Sequence, residues 1–306
     1  MRTGAGEKVM CDITESNFFS QGTTCAAWLY RPREIPEPPV VIMAHGFAAE
    51  RTFRLPAFAE RFVEKGMAAF LFDYRNFGAS DGEPRNLVSP SRHLQDWKAA
   101  VAHVRALRGI DRHRIALWGS SFSGGHVIVI AAKDQGISAV VSQVPFVDGL
   151  TTANTLGVKY TLRALTAGFR DLARVLTFRA PYTVPVVGEP EAFAIMNTPG
   201  SKSGYLALVP AGSSWRNACP ARVLLSVPLY RPISFADRVG CPVLFVVAER
   251  DSLIPAKVVE RTALRVPDAT VVRFPVGHFD VYVGETFEQV AEIEADFLSK
   301  HLVSIT

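Results

Sequence analysis

The chain has 306 residues, 48% of them hydrophobic, which is ample for the core of a large α/β domain. Its formal net charge of +4 is too small to imply a nucleic-acid partner. No apolar run approaches the roughly 20 residues that a membrane span needs, residues 1–12 hold no stretch resembling a signal peptide, and the cysteines (Cys11, Cys25, Cys219 and Cys241) form no C-x-x-C pair. Free thiols and a reducing, cytoplasmic setting are therefore expected.

Residues 23–30 read as a strand. Residues 40–44 form a short apolar run ending at His45-Gly46, the pattern of a strand buried on both faces. Leu55, Phe58, Ala59, Phe62 and Val63 recur at helical spacing, with Gly66 as the stop. Residues 67–72 make another buried strand. Ser89 as cap, Pro90 in the first position, and Leu94, Trp97, Val101 and Val104 at spacings of three and four predict the clearest helix. A strand at 114–118, a helix at 122–132 and a strand at 137–144 follow. This alternation implies parallel strands joined by crossover helices. It stops near Asp148 and resumes with a strand at 242–248, a helix at 255–266, a strand at 270–274 and a closing helix at 287–302. The closing stripe of Phe287, Val290, Ile293, Phe297 and Leu298 faces one way.

The interruption has another texture. Residues 150–178 are helical in pattern, 181–190 hold three prolines and cannot form a regular helix, 191–196 suggest a short helix, and 199–214 are rich in turn residues. Both ends return to the same sheet. The organisation expected is therefore a core of residues 1–148 and 238–306 with a lid inserted at 149–237. Leu156, Tyr160, Leu162, Phe169, Leu172, Leu176 and Phe178 would either wall an apolar acyl pocket or pack the lid onto the core. Lys159, Arg163, Arg170, Arg174 and Arg179 stand against one acid, Asp171. Such an excess reads as a solvated helix face, or as a preference for an acidic substrate, carrier or membrane surface.

The strand at 114–118 runs into Gly119-Ser120-Ser121-Phe122-Ser123 and then a helix. A strand entering a helix through Gly-x-Ser-x-small is a nucleophile elbow, whose strained turn requires small residues two before and two after the serine. Gly119 and Ser123 meet that need for Ser121. Ser120 would put Trp118 where nothing large fits, and Ser123 lies further into the helix. A serine needs a base, and the base an orienting acid. In chain order after the elbow, Asp251 follows the strand at 242–248 and His278 the strand at 270–274. Glu249 is the rival acid, otherwise a rim carboxylate. The other histidines are less suited: His93, His103 and His113 lie on or just after a helix and read as solvated, His126 lies within the helix after the elbow, His301 is in the tail, and His45 reads as structural. An oxyanion hole would be built from the backbone N–H of Phe122, after the nucleophile, and of Phe47, in the His45-Gly46-Phe47 loop. No metal motif and no phosphate loop is present, so no cofactor is expected.

With these pieces in order, the chain resembles the α/β-hydrolases, and most of all the bacterial esterase-like branch related to dienelactone hydrolases and S15-type peptidases. The resemblance is carried by His45-Gly46-Phe47, by the segment from Asp73 to Ser80, by the elbow, by Asp251 and by Gly277-His278-Phe279. Asn76 stands where many relatives have glycine, and asparagine also tolerates a left-handed backbone. Dienelactone hydrolases use a cysteine nucleophile where this chain has Ser121, and the aspartate of epoxide- and halide-cleaving relatives is absent. The resemblance implies a mostly parallel sheet flanked by helices, and cleavage of a small-molecule carboxylic ester through an acyl-enzyme on Ser121. Thioester or peptide cleavage, and acyl transfer, would use the same three residues. A member of the fold that binds ligand without turnover is the reading from another class, and a homodimer stays open.

Overall fold

In the computed structural model, residues 11–154 and 157–303 are described. Strands β1 (Cys11–Glu15), β2 (Phe18–Ser20), β3 (Thr23–Cys25), β4 (Ala27–Pro32) and β5 (Val40–Ala44) come first. They are followed by helix α1 (Leu55–Glu64), β6 (Ala68–Phe72), α2 (Pro90–Ala106), β7 (Ile115–Ser120), α3 (Phe122–Ala131) and β8 (Ala139–Gln143). A long excursion carries α4 (Gly149–Asn154), α5 (Val158–Leu176), β9 (Thr183–Val184), α6 (Ser201–Leu206), β10 (Cys219–Pro220) and α7 (Val223–Ser226). The chain ends with β11 (Val243–Ala248), α8 (Ala256–Ala263), β12 (Ala269–Phe274) and α9 (Gly284–Leu302).

Among the described residues, eight strands form one sheet in the order β1-β4-β6-β5-β7-β8-β11-β12. The pairs from β6 to β12 are parallel, while β4 runs against both β1 and β6. Strands β5, β6, β7, β8 and β11 are buried along their whole length, which is why they read as continuous apolar runs. Helices flank the sheet, with α1 packed on α9 and α2 on α3.

Several expectations are corrected. The strand expected at 23–30 is two. It breaks at Ala26, whose amide donates to Ser80 Oγ at 2.8 Å and whose carbonyl accepts from the Asp73 amide at 2.9 Å, so the ladder cannot continue through it. Strand β1 is exposed along nearly its whole length, so its few apolar residues carry no signal of a buried strand. Residues 191–196 form no helix; Met196 instead bridges to Val187, and Asn197 Nδ2 donates to the carbonyls of Pro190 and Ala192. The turn-rich stretch contains α6. His93 is buried, not solvated, because it shares a face of α2 with Trp97 and Val104, and its ring stacks on Tyr74 at 3.9 Å.

The largest correction concerns α5. Among the expected wall residues, Tyr160 is half-buried while Leu162, Phe169, Leu172, Leu176 and Phe178 are exposed; Leu156 lies outside the described residues. The helix buries its small side instead, Ala164, Ala167 and Gly168 together with Asp171. A Cβ on Gly168 would stand 2.6 Å from Leu225 Cγ, so the close approach of α7 requires glycine there. Asp171 accepts from Arg222 Nε at 2.7 Å and from the amides of Tyr182 and Arg222 at 2.9 Å. Small-in, large-out is the reverse of what apolar content alone suggests.

Candidate active site

Four loops at the carboxyl ends of parallel strands meet at one place, where open α/β sheets put their sites. Strand β7 delivers Ser121 at φ +55, a left-handed value that costs a non-glycine residue energy and exposes the side chain at the strand end. Its backbone is clamped on both sides, the amide to Gln143 O at 2.8 Å and the carbonyl to the Phe146 amide at 2.9 Å. A Cβ on Gly119 would sit 2.4 Å from Ser123 O, so the turn tolerates only glycine at that point. Ser123 fits because its hydroxyl is buried and bonded to Tyr74 Oη at 2.8 Å, which in turn accepts from Trp97 Nε1. That partner also turns Ser123 away from the pocket.

Ser121 Oγ lies 3.0 Å from His278 Nε2, and His278 Nδ1 lies 2.6 Å from Asp251 Oδ2. The other Asp251 oxygen accepts the amides of Leu253 at 2.8 Å and Ile254 at 2.9 Å, which fixes the carboxylate plane. Both His278 and Asp251 side chains are nearly shut off from water. Glu249, the rival acid, is exposed at the end of β11. The geometry therefore joins Ser121, His278 and Asp251, and leaves Glu249 out.

The loop after β5 approaches the serine so closely that a Cβ on Gly46 would lie 3.0 Å from Ser121 Cβ. The peptide plane carrying the Phe47 N–H is held by His45, whose Nδ1 donates to Gly46 O at 3.0 Å. Burial pushes His45 down to about 3, so the ring is neutral and one tautomer serves this bond. The next two carbonyls are also taken: Tyr205 Oη donates to Phe47 O at 3.0 Å and Trp215 Nε1 to Ala48 O at 2.8 Å. Ala48 has φ +54, a conformation that these bonds help to fix. Phe122 opens α3, where the first N–H groups have no partner inside the helix. The rings of Phe47 and Phe122 meet edge to face at 5.4 Å. Tyr205 and Trp215 lie in the excursion between β8 and β11, and no motif marked them in the sequence; only their juxtaposition reveals them.

Beneath the elbow, Gln143 Nε2 donates to Ser120 Oγ at 2.8 Å, and Ser120 bonds to Tyr282 Oη. Tyr282 is four residues beyond His278, so this buried link ties the histidine loop to the elbow. Above the serine, a cavity of about 180 Å³ is lined mainly by apolar side chains, among them Phe122, Phe146, Tyr160, Ala164, Leu165 and Met196. A smaller one of about 30 Å³ lies by His278, Tyr205 and Leu208. Among the described residues no cluster of three or more His, Cys, Asp or Glu is arranged to hold a metal ion.

Residues 36–178 match the family model of the serine aminopeptidases, S33. The quorum-quenching protein AidA of Acinetobacter baumannii (strain MDR-ZJ06) is 42% identical over 283 residues, 92% of this chain and 93% of that protein. The crystal structure of the alpha/beta hydrolase GrgF from Penicillium superposes with a TM-score of 0.83 at 24% identity, covering 96% of this chain and 100% of the other. The chain belongs to the α/β-hydrolase superfamily. It is a hydrolase or acyltransferase of that fold. A polyketide transferase of Aspergillus fumigatus, af380, is 27% identical to this α/β-hydrolase over 92% of the chain and 95% of its own length. No described helix is long and apolar enough to cross a membrane.

Proposed function

We propose that the chain cleaves a carboxylic ester through an acyl-enzyme on Ser121, with His278 as general base and Asp251 as its orienting acid. The observation that carries this reading is the unbroken hydrogen-bonded line from Ser121 Oγ through His278 to Asp251 at the floor of an apolar cavity. Ser121 attacks the ester carbonyl carbon as His278 Nε2 takes its proton. The Phe47 and Phe122 amides receive the developing oxyanion; one such donor is worth about 3–4 kcal/mol of transition-state stabilisation. His278 then protonates the departing alcohol, and water, activated by the same nitrogen, releases the acid.

The 180 Å³ cavity takes the acyl group. An apolar cavity of about 150 Å³ holds a benzene ring, so a short or medium acyl chain fits and a long one must emerge at the mouth. The compartment of about 30 Å³ beside His278 matches a water or two, which supports water over a bulky acceptor as the second nucleophile. Residues 149–237 act as a lid that supplies much of the acyl wall. Four free thiols support a reducing, cytoplasmic setting.

The kinship with a polyketide transferase favours a second reading, in which the same acyl-enzyme forms from a thioester and passes to an alcohol. A series of p-nitrophenyl esters and matched acyl thioesters, read for burst and chain length, tests both. Ester cleavage predicts a p-nitrophenol burst equal to the enzyme concentration and an optimum at short to medium chains. Thioester turnover far above ester turnover, with product yield rising on added alcohol, would replace the first reading by the second. Tight binding without turnover of either series would refute both.

A further inference from the structure

Helix α5 presents an apolar seam to solvent, of which Leu165 alone borders the pocket. Val158, Leu162, Leu165, Phe169, Leu172 and Leu176 follow one another at spacings of four, three, four, three and four. That is the 3.5-residue repeat with which one helix packs its knobs into the holes of another. Leu176 is 74% exposed, Leu162 60% and Phe169 59%, and Phe178 just beyond the helix is 99% exposed. Together these side chains offer on the order of 800 Å² of surface, the share each partner contributes to a standard stable interface. Exposed apolar patches beyond a few hundred Å² are rare on surfaces that stay solvated.

The charges decide what covers the seam. A helix lying on an anionic membrane carries cations along the rim of its apolar face. Here the positions flanking the seam are Thr161, Thr166, Gly168, Ala173 and Val175, with Lys159 the one charge among them. The arginines stand further round and are engaged by their own chain. Arg163 lies over the Phe193 ring at 4.6 Å, Arg170 over Tyr182 at 4.2 Å, and Arg174 donates to Ala180 O. A neutral rim is what a helix needs to meet a copy of itself, since like charges across the seam would oppose pairing.

We infer that α5 is the dimerisation helix of this protein, pairing antiparallel with α5 of a second copy about a two-fold axis near Leu165 and Phe169. An antiparallel pair sets Leu165 of each copy against Phe169 of the other and brings Lys159 beside Ala173. A parallel pair would instead stack Phe169 on Phe169 and Leu165 on Leu165. Opposed helix dipoles favour the antiparallel choice. Leu165 also lines the acyl cavity, so pairing closes the outer wall of the pocket.

Sedimentation velocity across the micromolar range tests the surface. The wild-type chain should sediment as two copies. Phe169→Glu and, independently, Leu172→Glu should sediment as one copy with unchanged far-UV circular dichroism, and Lys98→Glu, exposed on α2, should stay paired. Oxidising an equimolar mixture of Leu165→Cys and Phe169→Cys chains should give the mixed disulfide dimer, whereas parallel pairing would link each variant to itself. Wild type that sediments as one copy throughout, a Phe169→Glu dimer, self-linked products, or monomers that float with phosphatidylserine vesicles would each overturn the inference.

Discussion

Replacing Asp251 by asparagine removes one charge and changes almost nothing in shape, yet its consequence can be worked out atom by atom. One side-chain oxygen of Asp251 accepts the Leu253 and Ile254 amides at 2.8 and 2.9 Å; the other faces His278 Nδ1 at 2.6 Å. An asparagine has a single acceptor oxygen, and two backbone donors claim it. Its NH₂ must then point at His278 Nδ1 and donate to it. The imidazole is forced to carry its proton on Nε2, facing Ser121, where it can no longer receive the serine proton. Trapping the wrong tautomer in this way costs on the order of ten-thousand-fold in kcat, equivalent to about 5 kcal/mol of activation free energy. Stopped-flow release of p-nitrophenol should show kcat falling by about that factor, with KM and thermal stability near wild type. Glu249→Gln should change kcat by less than about threefold, because an exposed rim carboxylate that does not touch the histidine contributes little. A mild Asp251→Asn variant beside a severe Glu249→Gln variant would refute the assignment.

The link from the excursion to the oxyanion loop is tested by Tyr205→Phe, which deletes only the hydroxyl that donates to Phe47 O. Losing about 0.5–1.5 kcal/mol of hydrogen bonding at a positioning contact should lower kcat by roughly 2- to 13-fold with KM little changed; a change confined to KM would show that the bond serves substrate binding instead. Buried Glu294 supplies a pH prediction. Burial raises its carboxyl to about 8, while Trp118 Nε1 donates to it at 2.8 Å. The folded state therefore holds a proton that the unfolded chain, with an ordinary carboxyl near 4.5, gives up. Stability from this group is fully present below that lower value and is lost as pH rises toward about 8, by a few kcal/mol at most. Glu294→Gln should flatten the decline of Tm between pH 5 and 8; an unchanged slope would mean that the group ionises normally.

Much of this was legible in the sequence because the site depends on local rules. A buried parallel strand is a run of apolar residues, and a strained elbow demands small neighbours, so β7, Gly119 and Ser121 announced themselves. Asn76 does adopt a left-handed backbone at φ +75, as its stand-in for glycine suggested. Asp251 and His278 could be placed because each follows a late strand. What escaped depends on long-range partners. Ala26 breaks a strand because Ser80 and Asp73 compete for its peptide groups. Tyr205 and Trp215 matter through two carbonyls more than 150 positions away along the chain. For α5, periodicity gives the width of an apolar stripe but not the side from which the protein approaches. In this helix Gly168 and its small neighbours admit α7, and the large residues are left outside.

The central claim is that Ser121 alone among the serines of the elbow is made nucleophilic by its histidine. Labelling with a fluorophosphonate, followed by peptide mass spectrometry, measures this directly. The account predicts one adduct per chain, on Ser121, abolished in Ser121→Ala and strongly slowed in His278→Ala. An adduct on Ser120 or Ser123, or labelling of Ser121 that is as fast without His278, would contradict it.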